Sequence, residues 1–268
     1  PEPVGAEIDL RDQTGTGDST ATAEIDLRDR TGGAPTEAEA DLRDFDSVPV
    51  PPEPSDGWRV TLAEGDLVAE AEKLEYETFH AAGFCGESAL ERVEAYDPWR
   101  GISHFVVVVD PDGVLQGTVR FMLGDYDQLP VGAFERTGTY PPDPVLEYAS
   151  LSVRPGCRKT GVTEWLYRAV WQQATLRGAA SMVAIGETWL MDLLNEAYEF
   201  GFEQLGPTRW YMGGDCFAMG TAMADLMQRM LRQPSLFDWG SSVIPLEDIP
   251  LPEIRSAVAE LRRSLTRG

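Results

Sequence analysis

Val145-Leu146-Glu147-Tyr148-Ala149-Ser150-Leu151-Ser152-Val153, followed by Arg154-Pro155-Gly156-Cys157-Arg158-Lys159-Thr160-Gly161, is the stretch that decides the fold. The first nine residues are strand-prone, and the Pro and Gly that follow break the strand. A helix is predicted to start near Gly161, because Val162, Trp165, Leu166, Ala169, Val170 and Gln173 recur at 3.6-residue spacing while Glu164, Arg168 and Gln172 point elsewhere. A strand, a basic turn and a helix in this order form an anion site. The free N–H groups of Lys159 to Thr163 converge at the positive end of the helix, and Arg158 and Lys159 add full charges beside them. Lysine occurs only at Lys73 and Lys159, so one of the two lies in this turn. An ordinary strand-to-helix connection shares the same outline, and the rest of the chain has to decide between them.

The chain is long enough for one large or two small domains with a sizeable core. A formal charge of -23 and a pI near 4.3 argue against nucleic acid or an anionic membrane surface as partner. Cys85, Cys157 and Cys216 are odd in number and lack metal-ligand spacing, so neither a disulfide framework nor a metal is expected. No apolar run has the length of a membrane span, and the first residues are acidic rather than a basic leader. The expectation is a soluble, cytoplasmic protein.

Residues 1–57 differ sharply from the remainder. With 15 acidic and 4 basic side chains they carry a net -11, leaving -12 for the rest. Apolar side chains are too sparse there to offset the entropy of ordering, so a disordered tail is expected. Glu7-Ile8-Asp9-Leu10-Arg11-Asp12 recurs as Glu24-Ile25-Asp26-Leu27-Arg28-Asp29 and, altered, as Glu39-Ala40-Asp41-Leu42-Arg43-Asp44. Such copies have the form of linear motifs that dock on a protein scaffold, where linkage raises avidity; drift in a low-complexity acidic tail gives the same pattern. Pro49-Val50-Pro51-Pro52-Glu53-Pro54 is a stiff linker before a body expected over 58–232, with an extension over 233–268.

Within the body, Trp58 to Leu62 reads as a strand and Gly65 to His80 as a helix, with a short helix or turn over Glu91 to Tyr96. His104 to Val109, the turn Asp110-Pro111-Asp112-Gly113 and Val114 to Met122 read as a hairpin. Gly124 to Pro144 is a long polar connection with the length of a binding flap. Beyond the central helix come a strand at Ser181 to Ile185, a helix from Trp189 to Phe200, strands at 202–205, 209–212 and 216–219, and a helix from Thr221 to Arg232. Leu251 to Arg267 aligns Ile254, Val258, Leu261 and Leu265, which predicts a final amphipathic helix packed on the body or on a partner.

The turn Val153 … Arg158-Lys159-Thr160-Gly161-Val162-Thr163 resembles the central motif of the GNAT acyltransferase superfamily, with Thr163 where Gly or Ala is usual. The element order is similar too. Residues 70–223 look like the autoinducer-synthase and N-acyl amino acid synthase branch: Phe79, Glu94-x-x-Asp97, Gly117-Thr118-Val119-Arg120, Glu147 with Val153, and Gly201-Phe202-Glu203-Gln204-Leu205-Gly206-Pro207 carry the likeness. Ala149 and Ser150 replace a Ser-Arg pair of the homoserine-lactone synthases, which favours a related N-acyltransferase. Tyr198 stands three residues before Gly201 rather than the four usual for an acidic-role tyrosine. The resemblance implies an α/β (α+β) fold with a central mixed sheet flanked by helices.

It also implies transfer of an acyl group from a thioester, acyl-CoA rather than acyl-carrier protein, to an amine such as an amino acid, with no metal. Arg158, Lys159, Thr160, Gly161, Val162 and Thr163 would cradle the pyrophosphate, and the main chain of Leu151 to Val153 would pair with the pantetheine and face the carbonyl. A carboxylate must deprotonate the amine: Glu147 is the first candidate and Glu187, at the end of the next strand, the second. Glu94, Asp97 and Arg120 could orient the amine as a charged network, or serve as structural ion pairs. A function of another class uses the same fold without turnover, as a binding module tethered by the repeats.

Overall fold

The computed structural model describes residues 53–158, 160–230, 234–242 and 244–266. The three repeats and Lys159 lie outside the described residues. From the N-terminal side the chain runs β1 (Arg59–Leu62), α1 (Asp66–Ala81), a 3-10 segment Glu94–Ile102, β2 (His104–Val109), β3 (Leu115–Gly124), two short 3-10 turns, and β4 (Val145–Val153). It continues with α2 (Val162–Leu176), β5 (Ser181–Gly186), α3 (Thr188–Tyr198), β6 (Glu203–Gln204), β7 (Arg209–Tyr211), β8 (Gly214–Ala222), α4 (Met223–Met230), α5 (Pro234–Ser241) and α6 (Pro252–Leu265). The sheet order is β1-β2-β3-β4-β5-β8-β6, with β7 paired to β8; β4–β5 is its parallel pair and the other neighbours are antiparallel. This is the mixed sheet flanked by helices that the sequence leads one to expect.

The period-2 alternation of the strands fixes the layers. Phe105, Val107 and Val109 of β2 pack under Ala71 and Leu74 of α1, while Val106 and Val108 face the opposite side with Trp165, Leu166 and Val170 of α2. Each of those α2 side chains contributes roughly 1.5–3 kcal/mol by leaving water. On the α1 side, the 126–144 connection covers Met122, Val145 and Val183 with Tyr126, Leu129, Val131 and Phe134. On the α2 side, Phe237, Ile254, Val258 and Leu261 of α5 and α6 join the same core, so the final amphipathic helix packs on the body.

Several elements differ from expectation in ways with physical causes. The helix expected from Thr221 starts at Met223, because β8 runs on to Ala222 in antiparallel register with Ser181. Residues 91–96 give instead the 3-10 segment Glu94–Ile102, with Pro98 inside it. The strand expected over 202–205 is reduced to Glu203–Gln204. Helix α5 is an element that the periodicity did not announce.

Candidate active site

Two irregularities in β4 open the sheet at its centre. The first is a bulge: Arg120 pairs with Ser150 and Phe121 with Tyr148, which leaves Ala149 as an extra residue. The Ala149 carbonyl accepts a hydrogen bond of 2.7 Å from the Tyr96 hydroxyl. The second is the early end of the parallel pairing. Strand β5 pairs with Val145, Leu146 and Glu147, and beyond Glu147 the two strands part. Main-chain groups of β4 on its β5 side therefore lack a strand partner from Tyr148 onward.

A cavity of about 270 Å³ fills this gap. Phe79, Phe84 and Tyr96 wall it from the α1 side, Tyr148, Leu151 and Tyr167 from the α2 side, and Ile185, Glu187, Leu190, Tyr211, Met212 and Cys216 close the rest. The space thus passes through the sheet rather than lying on one face. Its wall is mostly apolar and aromatic, and burial pushes the phenols of Tyr96, Tyr148, Tyr167 and Tyr211 well above their usual range. The Tyr148 hydroxyl, on a side chain only 7% exposed, has no hydrogen-bond partner.

Glu187 is the carboxylate of the wall. It follows β5 directly and stands at the N-cap position of α3, but its Oε2 accepts a 2.6 Å hydrogen bond from the Trp189 indole N–H instead of capping the helix. A Cβ on Gly214 would stand 2.6 Å from Glu187 Oε1, so the missing side chain there is what makes room for the carboxylate. Glu147 is placed differently. It is 0% exposed and lies one layer behind the wall, where Oε2 accepts the Val131 N–H at 2.9 Å and Oε1 has no partner. Burial pushes its carboxyl up to about 8, opposed by the Val131 hydrogen bond. Of the two carboxylates expected to serve as base, Glu187 borders the cavity and Glu147 does not.

Arg120, Glu94 and Asp97 each take a different hydrogen-bond partner. Arg120, 2% exposed, makes a bidentate pair with Glu75 of α1 at 2.9 and 2.5 Å and bonds Ser103 at 3.0 Å. Its guanidinium lies over the rings of Tyr96 and Phe105. Asp97 instead pairs with Arg92 at 2.8 and 2.9 Å, which lowers its pKa, and Glu94 accepts from Ser88. Ser150, where the resemblance led to an arginine-lacking position, donates to Glu75 and so ties the cavity wall to this buried pair.

At the far end of β4 lies the turn expected to hold a pyrophosphate. Gly161 adopts a left-handed φ of 95° before the first turn of α2, a conformation that favours glycine. Trp165 is the helix residue whose N–H bonds back to the Gly161 carbonyl, at 2.9 Å, so the N–H groups of Val162, Thr163 and Glu164 precede the first intrahelical bond. Val162 is wholly buried and packs where a Cβ on Gly117 would stand 2.7 Å away, so it can offer only its main chain. Arg158 is exposed and Thr160 donates to the Cys157 carbonyl at 2.7 Å. Leu151 borders the cavity and Val153 pairs with Gly117, so β4 links the turn to the gap. Sequence reasoning missed Tyr96, Tyr167 and Trp189, which carry no motif. Tyr148 was legible only as an alternating strand residue.

No protein-family model and no curated protein matches the sequence. Solved structures do match the fold. A CoA-dependent acyl-homoserine lactone synthase, BjaI, solved with SAM and isopentyl-CoA, is 16% identical with a TM-score of 0.54, over 76% of this chain and 100% of that one. FeeM, an N-acyl amino acid synthase from uncultured soil microbes, is 12% identical with a TM-score of 0.51, over 66% of this chain and 96% of that one. With its parallel pair parting at Glu147 and a glycine-opened helix after β4, this polypeptide shares the fold of these two solved structures, a GNAT-like mixed sheet flanked by helices.

Proposed function

We propose that the protein is an N-acyltransferase that moves an acyl group from acyl-CoA to an amine by direct attack. The observation that carries this reading is the parting of β4 from β5 beyond Glu147, which opens a cavity within the sheet on the same strand that leads into the turn at Gly161. The likeness to BjaI and FeeM supports the fold, and the lining of the cavity supports the chemistry.

In this account the pyrophosphate rests on Arg158, Thr160 and the free N–H groups of Val162 and Thr163, and Lys159 adds charge. The pantetheine runs along Val153 and Leu151, and the thioester carbonyl meets unpaired main-chain N–H groups of β4, which stabilise the oxyanion as it forms. Glu187 takes one proton from the ammonium. The nitrogen then forms the new C–N bond, the C–S bond breaks, and the second ammonium proton ends on the departing sulfur. Glu147 holds the Pro130–Ala133 turn through the Val131 N–H and shapes the cavity from behind.

The test is release of free CoA thiol from decanoyl-CoA, followed with and without amines. Release that depends on an amine and yields the amide supports the proposal. Tight CoA binding with no transfer to any amine would favour the idle binding module instead.

A further inference from the structure

The acceptor is narrowed by what the cavity wall does not contain. Among the described residues that line it there is no Arg, Lys or His, and Glu187 is the one Asp or Glu. The tyrosines are held neutral by burial, as is Cys216, whose thiol is pushed up to about 11. The guanidinium behind Tyr96 offers no substitute, because Arg120 is enclosed and engaged by Glu75 and Ser103.

A substrate carboxylate in this space would lose its water without gaining a cation, and it would also face Glu187. Both effects oppose binding. An ammonium meets the reverse situation. Glu187 supplies the opposite charge, and the aromatic residues Tyr96, Tyr211, Trp189 and Phe84 line the space beside it, where they can cover an apolar body. The Glu187 end is also a defined pocket. The turn between β7 and β8 sits against the segment after α1, where a Cβ on Gly213 would stand 2.8 Å from the Gly83 carbonyl oxygen.

We propose that the acceptor is an apolar primary amine without a carboxylate, an alkyl- or arylalkylamine, with its ammonium on Glu187 and its body against Phe84, Tyr96 and Tyr211. This inference rests on the acyl-transfer reading and departs from the amino-acid acceptor that the sequence resemblance implied. The transfer is balanced as above, one ammonium proton passing to Glu187 and the second to the departing sulfur.

The experiment compares 2-phenylethylamine with L-phenylalanine, which differ only by the carboxylate, and with L-phenylalaninamide, in which it is masked. Each is titrated calorimetrically into the full chain in the presence of CoA, and each is offered as acceptor with decanoyl-CoA. The expected result is at least tenfold tighter binding of phenylethylamine than of phenylalanine, with the amide restoring much of the loss. Glu187→Gln, which keeps an acceptor for the Trp189 N–H, should weaken the amine about tenfold and leave phenylalanine little changed. Equal or tighter binding of phenylalanine, or binding of neither compound, overturns the inference. If the amine binds as expected and is not acylated from any CoA thioester, the acceptor site stands and the acyl-transfer reading fails. If phenylalanine is acylated in preference to the amine, the acyl-transfer reading stands and the acceptor inference fails.

Discussion

Glu147 and Val183 are the last partners in the parallel register of β4 and β5. Up to that pair the sheet is continuous, and after it the strands enclose a cavity. The buried carboxyl of Glu147 is therefore set at the point where the two strands part, under the Pro130–Ala133 turn whose Val131 N–H it accepts. Bulging at Ala149 and the missing strand pairing act together, one turning Tyr148 and Ser150 to opposite faces and the other leaving space between them.

The raised carboxyl of Glu147 predicts a pH-dependent stability with a definite sign. A group near 4.5 in the unfolded chain and about 8 in the folded one contributes fully below pH 4.5. Between there and about 8 the unfolded chain ionises first, so this stability is lost as pH rises. Glu147→Gln should flatten the fall and be the more stable protein above pH 8, by up to about 5 kcal/mol. Urea unfolding of both proteins across that range measures it, and parallel curves would show that Glu147 is already ionised in the fold.

The pair Glu75–Arg120 is a second stability prediction. Glu75 is fully buried, so Glu75→Ala leaves a buried guanidinium without its counter-charge and should cost roughly 3–5 kcal/mol. Replacing both residues, by Leu and Met, should recover much of that. Denaturant midpoints of the two variants decide the matter; a loss under 1 kcal/mol for Glu75→Ala would show that water reaches Arg120.

The cradle is tested by Arg158→Ala. The side chain is exposed, so the fold should be unaffected while the dissociation constant for CoA rises roughly three- to tenfold, as expected for one charge-assisted contact in water. Calorimetry at low salt with unchanged affinity would remove Arg158 from the donor site.

Legibility in the sequence followed the range of the physics. Strands, the hairpin and α2 were readable because alternation and 3.6-residue spacing are local, and the β2 run Phe105–Val109 is buried as its composition demands. The turn at Gly161 was readable because a left-handed residue before a helix calls for glycine. What could not be read is what depends on contacts across the fold. Arg120 finds its carboxylate 45 positions away in α1, not in the nearer Glu94 or Asp97. Tyr96 reaches the Ala149 carbonyl across 53 positions. The roles of Glu147 and Glu187 look interchangeable along the chain, since one lies on β4 and the other directly follows its neighbour β5; only the point at which those strands part puts one behind the wall and the other on it.

The charge of the body bears on the donor. A net -12 over residues 58–268 repels an acidic carrier protein within a Debye length of about 8 Å, whereas a small thioester senses chiefly the turn. Matched decanoyl-CoA and decanoyl-carrier donors compared at low and high salt should show transfer from CoA at both. Activity with the carrier alone, falling steeply with salt, would reverse the assignment.

A crystal structure of the protein with a non-transferable acyl-CoA analogue, such as a thioether, would show directly where the donor binds. The expected pose has its pyrophosphate on the turn at Arg158 to Thr163, its pantetheine along Leu151 to Val153, and its acyl group in the gap between β4 and β5. A second groove of about 280 Å³ lies between Val60 to Leu62 of β1 and Trp165 to Gln173 of α2. An analogue seated there, with the β4–β5 gap unfilled, would rule out donor binding between β4 and β5.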